Sequence, residues 1–305
     1  MFLPPAVYEE ECKVRWIRSE SFAAWAFMTP GLIIIAVFVF WPILYGIPLS
    51  LTNYSVIAET KYVGLNNFKN AFLDKNFTIS LWNSLLYVIV VPFIQIFSIL
   101  MAILVNSRIP GIKLFRAAFY IPVVTSMVAV ALIWSWLLSN NGVVNYLLMK
   151  AGIISEQISW LSSSETALAT LMFITMWKAL GFYMMLYLAG LQGIPNDLYE
   201  AARVDGGNRL QLIWSITLPL LRPHIFFCSL ISVMGAVRVF DEVYILTKGG
   251  PGTSTLVSSV YIFEKGINQF NFGYASALGL IVSVLIGGLS VLVFKFNQKG
   301  GVNPY

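Results

Sequence analysis

The chain has 305 residues, of which 58% are hydrophobic and 11% charged, with a mean hydropathy of +0.78 and a net charge of +5. A soluble domain carries roughly 25% charged residues, so this composition excludes a water-exposed globular protein and predicts a polytopic membrane protein. The positive charges are scattered over short loops without a basic patch, which argues against a nucleic-acid partner.

The N-terminal segment, residues 1–21, is mixed and polar and is predicted to form a cytoplasmic tail. The apolar run that follows is too long for the hydrophobic region of a signal peptide and has no small-residue cleavage site. Cys12 and Cys228 lie far apart and outside any CxxC pattern, so neither a disulfide nor a metal site is predicted.

Six apolar segments are long enough to cross about 30 Å of hydrocarbon as helices, which needs roughly 20 residues each. Helices are expected because an open sheet would leave backbone groups unpaired in lipid. Pro42, Pro92 and Pro122 fall inside these segments, where kinks are tolerated for the same reason. In chain order the predicted spans are 24–50, 81–105, 117–138, 167–191, 219–239 and 274–296.

The placement of the Lys and Arg residues along the chain predicts the orientation, because inner segments carry the excess of positive charge. With the N-terminus inside, the inner segments hold eleven such residues and the outer segments seven. The short loop 106–116, with Arg108, Lys113 and Arg116, is the strongest single indicator. The prediction is therefore N-in and C-in.

The inner loop 192–218 is unusually long and has the pattern of two short helices joined by a turn. Pro195 suits a helix start, and Asp205-Gly206-Gly207 is a strong stop because glycine tolerates the left-handed conformation. Asn208 can cap a second helix that leads into the fifth span. On these residues alone, an ordinary interfacial amphipathic helix and a docking helix for another protein explain the pattern equally well.

The same loop carries Glu200-Ala201-Ala202, then Asp205-Gly206, then Ile216-Thr217-Leu218-Pro219. These elements and their spacing resemble the EAA loop of permease subunits of binding-protein-dependent bacterial ABC importers. The family commonly has Ala after the Gly, and Gly207 is expected to loosen the turn slightly. Further stretches are similar to the MalF-like subunit of the carbohydrate-uptake branch: 63–68, 240–251 and 273–277.

The resemblance covers roughly residues 22–297 and implies an all-α, six-helix type I ABC importer transmembrane fold. It implies one permease domain over 22–297, with the EAA loop at 192–218, and a short cytoplasmic C-terminal tail at 298–305. The protein would be a multi-pass protein of the bacterial inner membrane that moves a sugar-like solute inward by alternating access.

The resemblance also implies the partners, which are a second, MalG-like permease subunit, two ABC ATPase subunits, an extracytoplasmic solute-binding protein and membrane lipid. The EAA loop would dock on the ATPase through Glu200, Ala201, Ala202, Asp205 and Gly206. No catalysis is expected on this chain, because it has no GxxxxGK[ST] phosphate loop. It would therefore need no cofactor of its own, since ATP and Mg²⁺ belong to the ATPase partner. Gly249-Gly250-Pro251-Gly252 lacks the Lys-Ser/Thr pair and is interpreted as a tight outer turn.

Positions that match the sugar contacts of the family precede the EAA loop and the Gly-Gly-Pro turn. A charged residue inside a span is a functional candidate by default, and Lys178 is the clearest example, near the outer third of span four. The alternative interpretation is that the Lys178 side chain snorkels, so that its ammonium lies at the outer membrane interface. Arg238 and Asp241 stand at the outer end of span five, where a solvated helix end is the alternative. The predicted solute contacts are Lys178, Ala179, Phe182, Ser232, Gly235, Ala236, Arg238, Val239 and Asp241.

Two other functions compete with an ABC permease. A secondary, ion-coupled transporter would carry acidic groups inside its spans, whereas the acids here lie at span edges. An integral membrane enzyme would need clustered His, Asp or Ser groups at one membrane face, but His224 is the only histidine and no paired carboxylates occur. The solute could be a di- or oligosaccharide, a glycosyl-polyol or a glycerol phosphate.

Overall fold

The structure, a computed structural model, describes residues 20–55, 59–107 and 110–298. Most of the two predicted tails, together with Cys12 and Arg108, therefore lies outside the described residues. The described part is built from helices, with β pairing limited there to two isolated bridges. The all-α fold class predicted from the sequence is confirmed.

Five of the described helices are long and apolar enough to cross a membrane. They correspond to the predicted first, second, fourth, fifth and sixth spans, and we keep these names for Phe22–Ser50, Lys75–Val105, Ala167–Gln192, Arg209–Leu246 and Phe272–Lys295. Shorter helices lie between them: Asn66–Leu73, Val143–Lys150, Asn196–Val204 and Ser258–Phe263. The sixth helix continues to Gln298.

The third predicted span differs from its prediction. Instead of one kinked helix over 117–138, the chain forms Ile112–Val124 and Met127–Leu137, which meet at an angle of 99°. Only if this bent pair is counted as one span does the described part of the chain have six. Thr125 has an extended backbone at the break, so the first arm ends there and its last carbonyls need partners other than helical N–H groups.

Three other spans contain local departures from the α-helix. In the second span, Pro92 has no N–H for the carbonyl four residues earlier, and the chain tightens there into the 3₁₀ turn Tyr87–Ile89. The first and fifth spans contain the π-helical segments Ala36–Phe40 and Ile213–Thr217. Beyond the fifth span's main helix, Leu218–Val237, the chain breaks at Arg238 and resumes as Asp241–Leu246.

The largest apolar core lies between the second, fourth and fifth spans. Ala102, Met184 and Leu221 are fully buried there. The first span is different, because none of its most apolar window is buried in the chain. Its second half packs against the sixth span, and its first half leaves an apolar surface for lipid or another subunit.

The side of the bundle opposite the EAA loop is closed by buried polar side chains. Asn83 donates to the carbonyls of Thr253, Ser254 and Leu256 and so fixes the Gly-Gly-Pro turn to the start of the second span. Asn145 similarly donates to Asn140 and Ile158. The stretch 249–252 forms a turn, as predicted from its sequence, and the residues that follow it are anchored to the second span.

Asp74 is the N-cap of the second span and also accepts hydrogen bonds from the hydroxyls of Tyr261 and Tyr274. Burial by itself raises the pKa of its carboxyl, but the hydrogen bonds outweigh burial and the net pKa lies below the usual value of 3.8. The same carboxylate raises the pKa of the Tyr261 phenol, on which burial acts in the same direction. One ionised group therefore ties the start of the second span to the helix Ser258–Phe263 and to the start of the sixth span.

We expect Asp74→Ala to lower the melting temperature of the detergent-solubilised protein, because the cap alone contributes about 1 kcal/mol. Asp74→Asn keeps a good cap and removes only the charge. Because the folded pKa lies below the unfolded value of 3.8, the charge-dependent stabilisation is present above pH 3.8 and is lost as the pH falls through the folded pKa. Thermal melts from pH 7 to pH 3 should therefore show a loss in the native protein that the Asn variant lacks. Equal pH profiles would contradict this role.

Candidate functional site

The EAA loop forms the two short helices that its sequence predicts. The first is Asn196–Val204, which begins directly after Pro195. It ends in a turn where Gly206 has φ of +85°, a conformation that L side chains rarely adopt. The N–H of Gly206 donates to Arg203 and that of Gly207 to Ala202, which satisfies carbonyls at the helix end.

Gly207 does not loosen this turn, contrary to the expectation from its sequence. A Cβ placed on it would lie 2.7 Å from the carbonyl oxygen of Ala202, closer than real side chains approach. The Gly207 N–H donates to this same oxygen at 2.8 Å. The second glycine therefore makes the turn tighter than an alanine would allow.

The second helix of the loop begins with a reciprocal cap and continues into the fifth span. Asn208 accepts from the Gln211 N–H at 2.9 Å, and the Gln211 side chain accepts from the Asn208 N–H at 2.8 Å. The hydroxyls of Tyr199 and Thr217 lie 3.0 Å apart and join the two helices. A displacement of the first helix would thus be transmitted to the fifth span through a covalent and a hydrogen-bonded connection.

The predicted coupling residues lie on the surface of this loop. Glu200, Ala201, Asp205 and Gly206 are exposed, and Ala202 is half-buried. Val204, beside the turn, is 88% exposed, although it is a large apolar residue on a polar face. Within the part of the chain that the structure describes, Glu200 forms no hydrogen bond or ion pair.

A cleft of about 470 Å³ separates the loop from the ends of the second and fourth spans. It brings together polar and charged side chains from three elements, with Asn106 and Ser107 at the end of the second span. The loop after the second span and the EAA loop consequently lie on the same side of the bundle. The charged lining residues of the cleft are Glu200, Arg203 and Arg209.

The predicted solute contacts divide into exposed and buried positions. Phe182 is 38% exposed, and Gly235, Arg238 and Asp241 are exposed as well. A Cβ on Gly235 would meet no atom of the described residues within 4 Å, so it borders space that these residues leave open. Ala179 is half-buried and packs against the main core.

Ser232, Ala236 and Val239 are buried, with exposures of 4%, 9% and 5%. Ala236 and Val239 belong to a cluster that links the fifth span to Tyr87 and Val257. In the conformation described, these three side chains do not face an open path. Their predicted contact with a solute stays a prediction for another conformation of the pore.

Lys178 contacts the backbone of a neighbouring span. It stands near the middle of the 26-residue fourth span, and its ammonium donates to backbone carbonyls of the third span. Arg238 and Asp241 flank the break that ends the main helix of the fifth span and are both exposed. Their exposure agrees with the alternative given for these two residues, a solvated helix end.

Two polar pairs between spans were not singled out from the sequence. The Thr175 hydroxyl donates to Glu242 at 2.7 Å, joining the fourth span to the end of the fifth. The Tyr187 hydroxyl donates to the Gln95 side-chain oxygen inside the main core. The available signal was a polar residue within an apolar run, but the identity of each partner depends on how the spans pack.

Comparison with known proteins places this geometry in a family. The model of the family described as "Binding-protein-dependent transport system inner membrane component" matches residues 94–299. The match covers more than half of the chain, including the EAA loop and the fourth to sixth spans.

Two curated relatives are similar over nearly the whole chain. The probable ABC transporter permease protein YesP of Bacillus subtilis (strain 168) is 37% identical over 291 residues, which cover 94% of each protein. The lactose transport system permease protein LacF of Rhizobium radiobacter is 35% identical over 276 residues, covering 88% of this chain and 92% of LacF.

A solved structure has the same fold. A chain of the bacterial alginate ABC transporter, in complex with alginate pentasaccharide-bound periplasmic protein, superposes with a TM-score of 0.81. It is 25% identical and covers 93% of this chain, and 96% of that chain is covered in turn. The predicted type I importer fold is thereby confirmed.

Proposed function

The chain belongs to the family of inner membrane components of binding-protein-dependent transport systems, and from this premise we propose that it forms half of the pore of an ATP-driven sugar importer. It is a multi-pass inner-membrane permease subunit and a transport protein rather than an enzyme. The observation that carries the proposal is an exposed helix on which Glu200 has no partner among the described residues, and which a hydrogen bond joins to the fifth span.

The proposed solute is a di- or oligosaccharide, a glycosyl-polyol or a glycerol phosphate. LacF is a lactose permease by its name, and the structural neighbour was solved with an alginate pentasaccharide on its periplasmic protein. An exposed aromatic such as Phe182 offers an apolar face on which a sugar ring can stack. Arg238 and Asp241 are the proposed polar contacts of the solute, and Gly235 leaves open space for it.

In the proposed mechanism, the EAA loop docks on a separate ATPase subunit. The exposed surface formed by Glu200, Ala201 and Val204 is the contact, and Asp205 and Gly206 give the turn its shape. Closure of the ATPase dimer on ATP and Mg²⁺ moves the helix Asn196–Val204. The Tyr199–Thr217 hydrogen bond and the capped second helix transmit this movement to the fifth span, which opens the pore on the opposite side.

The remaining partners follow from the same proposal. A second permease subunit completes the pore, and the apolar first half of the first span offers surface to it and to lipid. A solute-binding protein meets the outer side, where Asp74, Asn83 and Asn145 hold the loops in a defined shape. The orientation is N-in and C-in, with the EAA loop in the cytoplasm.

The test is reconstitution of the complete complex, with both permease subunits and the ATPase, in proteoliposomes with the binding protein. We expect sugar uptake that requires ATP, Mg²⁺ and loaded binding protein, and that persists when ionophores collapse the ion gradients. Calorimetry of the binding protein against a panel of sugars and glycerol phosphates identifies the solute.

The control is the same complex with a catalytically inactive ATPase, which should bind the loaded binding protein but not accumulate sugar. Uptake by this chain without the ATPase, driven by an ion gradient, would contradict the proposal and identify a secondary transporter.

A further inference from the structure

The break in the third span is occupied by the side chain of a neighbouring helix. The Lys178 ammonium lies 3.1 Å from the carbonyl oxygen of Pro122, 3.4 Å from that of Val123 and 2.9 Å from that of Thr125. All three oxygens belong to the end of the arm Ile112–Val124 or to the break itself.

These carbonyls need an outside donor because the helix that would have satisfied them stops. The last carbonyls of any helix lack intrahelical partners, and an unpaired backbone group is costly away from water. An ammonium has three donors and no acceptor, so the three carbonyls use its whole hydrogen-bonding capacity. The negative end of the first arm's dipole also points at the charge, which favours a cation there.

The fourth span presents a stripe of side chains to both arms of the broken span. Toward the first arm, Gly181 allows a very close approach, since a Cβ on it would lie inside van der Waals contact with the carbonyl oxygen of Phe119. Toward the second arm, Trp134 packs edge-on against Phe173 at 5.6 Å and Trp177 at 5.4 Å. Lys178 stands between these two contacts.

We infer that Lys178 is a positioning residue that caps the broken third span and fixes the angle between its two arms. Its charge is committed to the protein's own backbone, and no donor remains for a solute. The fourth span then holds the two arms as one unit. The sugar path is formed by other residues, and the inference stands whichever solute the importer carries.

The test compares Lys178→Met, Lys178→Gln and Lys178→Arg in the reconstituted complex. The Met variant keeps the length but has no donor, and we expect its melting temperature to fall by about 5 °C. Its maximal uptake rate should fall about tenfold, while the half-saturating concentration stays within about twofold. Lys178→Arg should keep most of the native melting temperature and maximal uptake rate, and Lys178→Gln should give values between those of the Met and Arg variants. Lys69→Met, at an exposed outer position, is the matched control.

A distance measurement tests the geometry directly. Spin labels at Leu114 and Leu132, one on each arm and both exposed, should give a narrow distance distribution that broadens in Lys178→Met. Cys12 and Cys228 are replaced by Ala in this background. An unchanged melting temperature and distribution would overturn the inference. So would an altered half-saturating concentration or sugar choice at an unchanged maximal rate, since that result identifies a solute contact. If the Met variant does not assemble, equal behaviour of Gln and Arg overturns it as well.

Discussion

Gly206→Trp should abolish coupling between ATP hydrolysis and uptake while the subunit still inserts and assembles. The backbone there has φ of +85°, so any side chain adds strain of about 1–2 kcal/mol. Within the described chain, a Cβ at this position meets no atom within 4 Å. The first atom of an added side chain therefore meets no obstacle in the described part of this subunit, and we expect the indole to obstruct a partner that docks there.

We expect uptake to fall at least about tenfold, with ATP hydrolysis no longer stimulated by the loaded binding protein. Glu200→Lys should act in the same direction by reversing the exposed charge on the docking helix. Both rates are measured in the same proteoliposomes, and assembly is checked by co-purification of the ATPase.

Gly111→Trp is the matched control for this variant. Gly111 has the same φ of +85°, and a Cβ on it likewise meets no atom of the described residues within 4 Å. It lies before the third span and outside the EAA loop. The backbone strain is the same in the two variants, whereas only Gly206→Trp obstructs the proposed docking surface. Uptake should therefore remain near normal in the control. Normal transport by Gly206→Trp would show that the loop does not dock, and equal losses in both variants would assign the effect to strain.

Gly273→Ala should be strongly destabilising. Gly273 opens the sixth span, and its N–H donates to the Tyr54 carbonyl at 3.1 Å. A Cβ there would lie inside contact distance of the Thr52 carbonyl oxygen and 2.9 Å from the Tyr54 nitrogen. Both obstacles are backbone atoms, so the loop after the first span has to move away.

Overpacking of this kind costs about 2–3 kcal/mol, which corresponds to a fall in melting temperature of about 5–10 °C. Gly279→Ala is the control on the same helix, because a Cβ there meets nothing within 4 Å. Alanine should stabilise that helix slightly, by about 0.5–1 kcal/mol. Equal melting temperatures for the two variants, measured in detergent, would contradict the close contact at Gly273.

The spans and the EAA loop were predictable because their signals are local. An apolar run of about 20 residues crosses a membrane as a helix whatever its neighbours are, and four predicted spans begin and end within six residues of those observed. The fifth span, Arg209–Leu246, is longer than its predicted range 219–239, because the second helix of the EAA loop and the helix after the break extend it at both ends. The loop was equally readable, since Asn208 caps a helix and Gly206 ends one through backbone preferences of single residues. The docking function itself rests on resemblance and remains a proposal.

The burial of the solute candidates could not be read from the sequence. Ser232 and Gly235 are only three residues apart on one helix, yet the first is buried and the second is exposed. Periodicity assigns residues to faces of a helix, but it does not tell which face meets another span, lipid or the pore. That choice depends on the packing of the second, fourth and fifth spans around one core.

The sequence alone therefore determined a helical membrane protein with a capped loop, because hydropathy and helix ends are properties of short segments. Only the tertiary structure decided that the third span is broken and that Lys178 caps it. The two groups that meet there are separated by more than 50 residues, and the sequence around a lysine inside a span does not indicate which group its ammonium will contact. In hydrocarbon, an unpaired charge and unpaired carbonyls are both costly, so the packing that brings them together satisfies both.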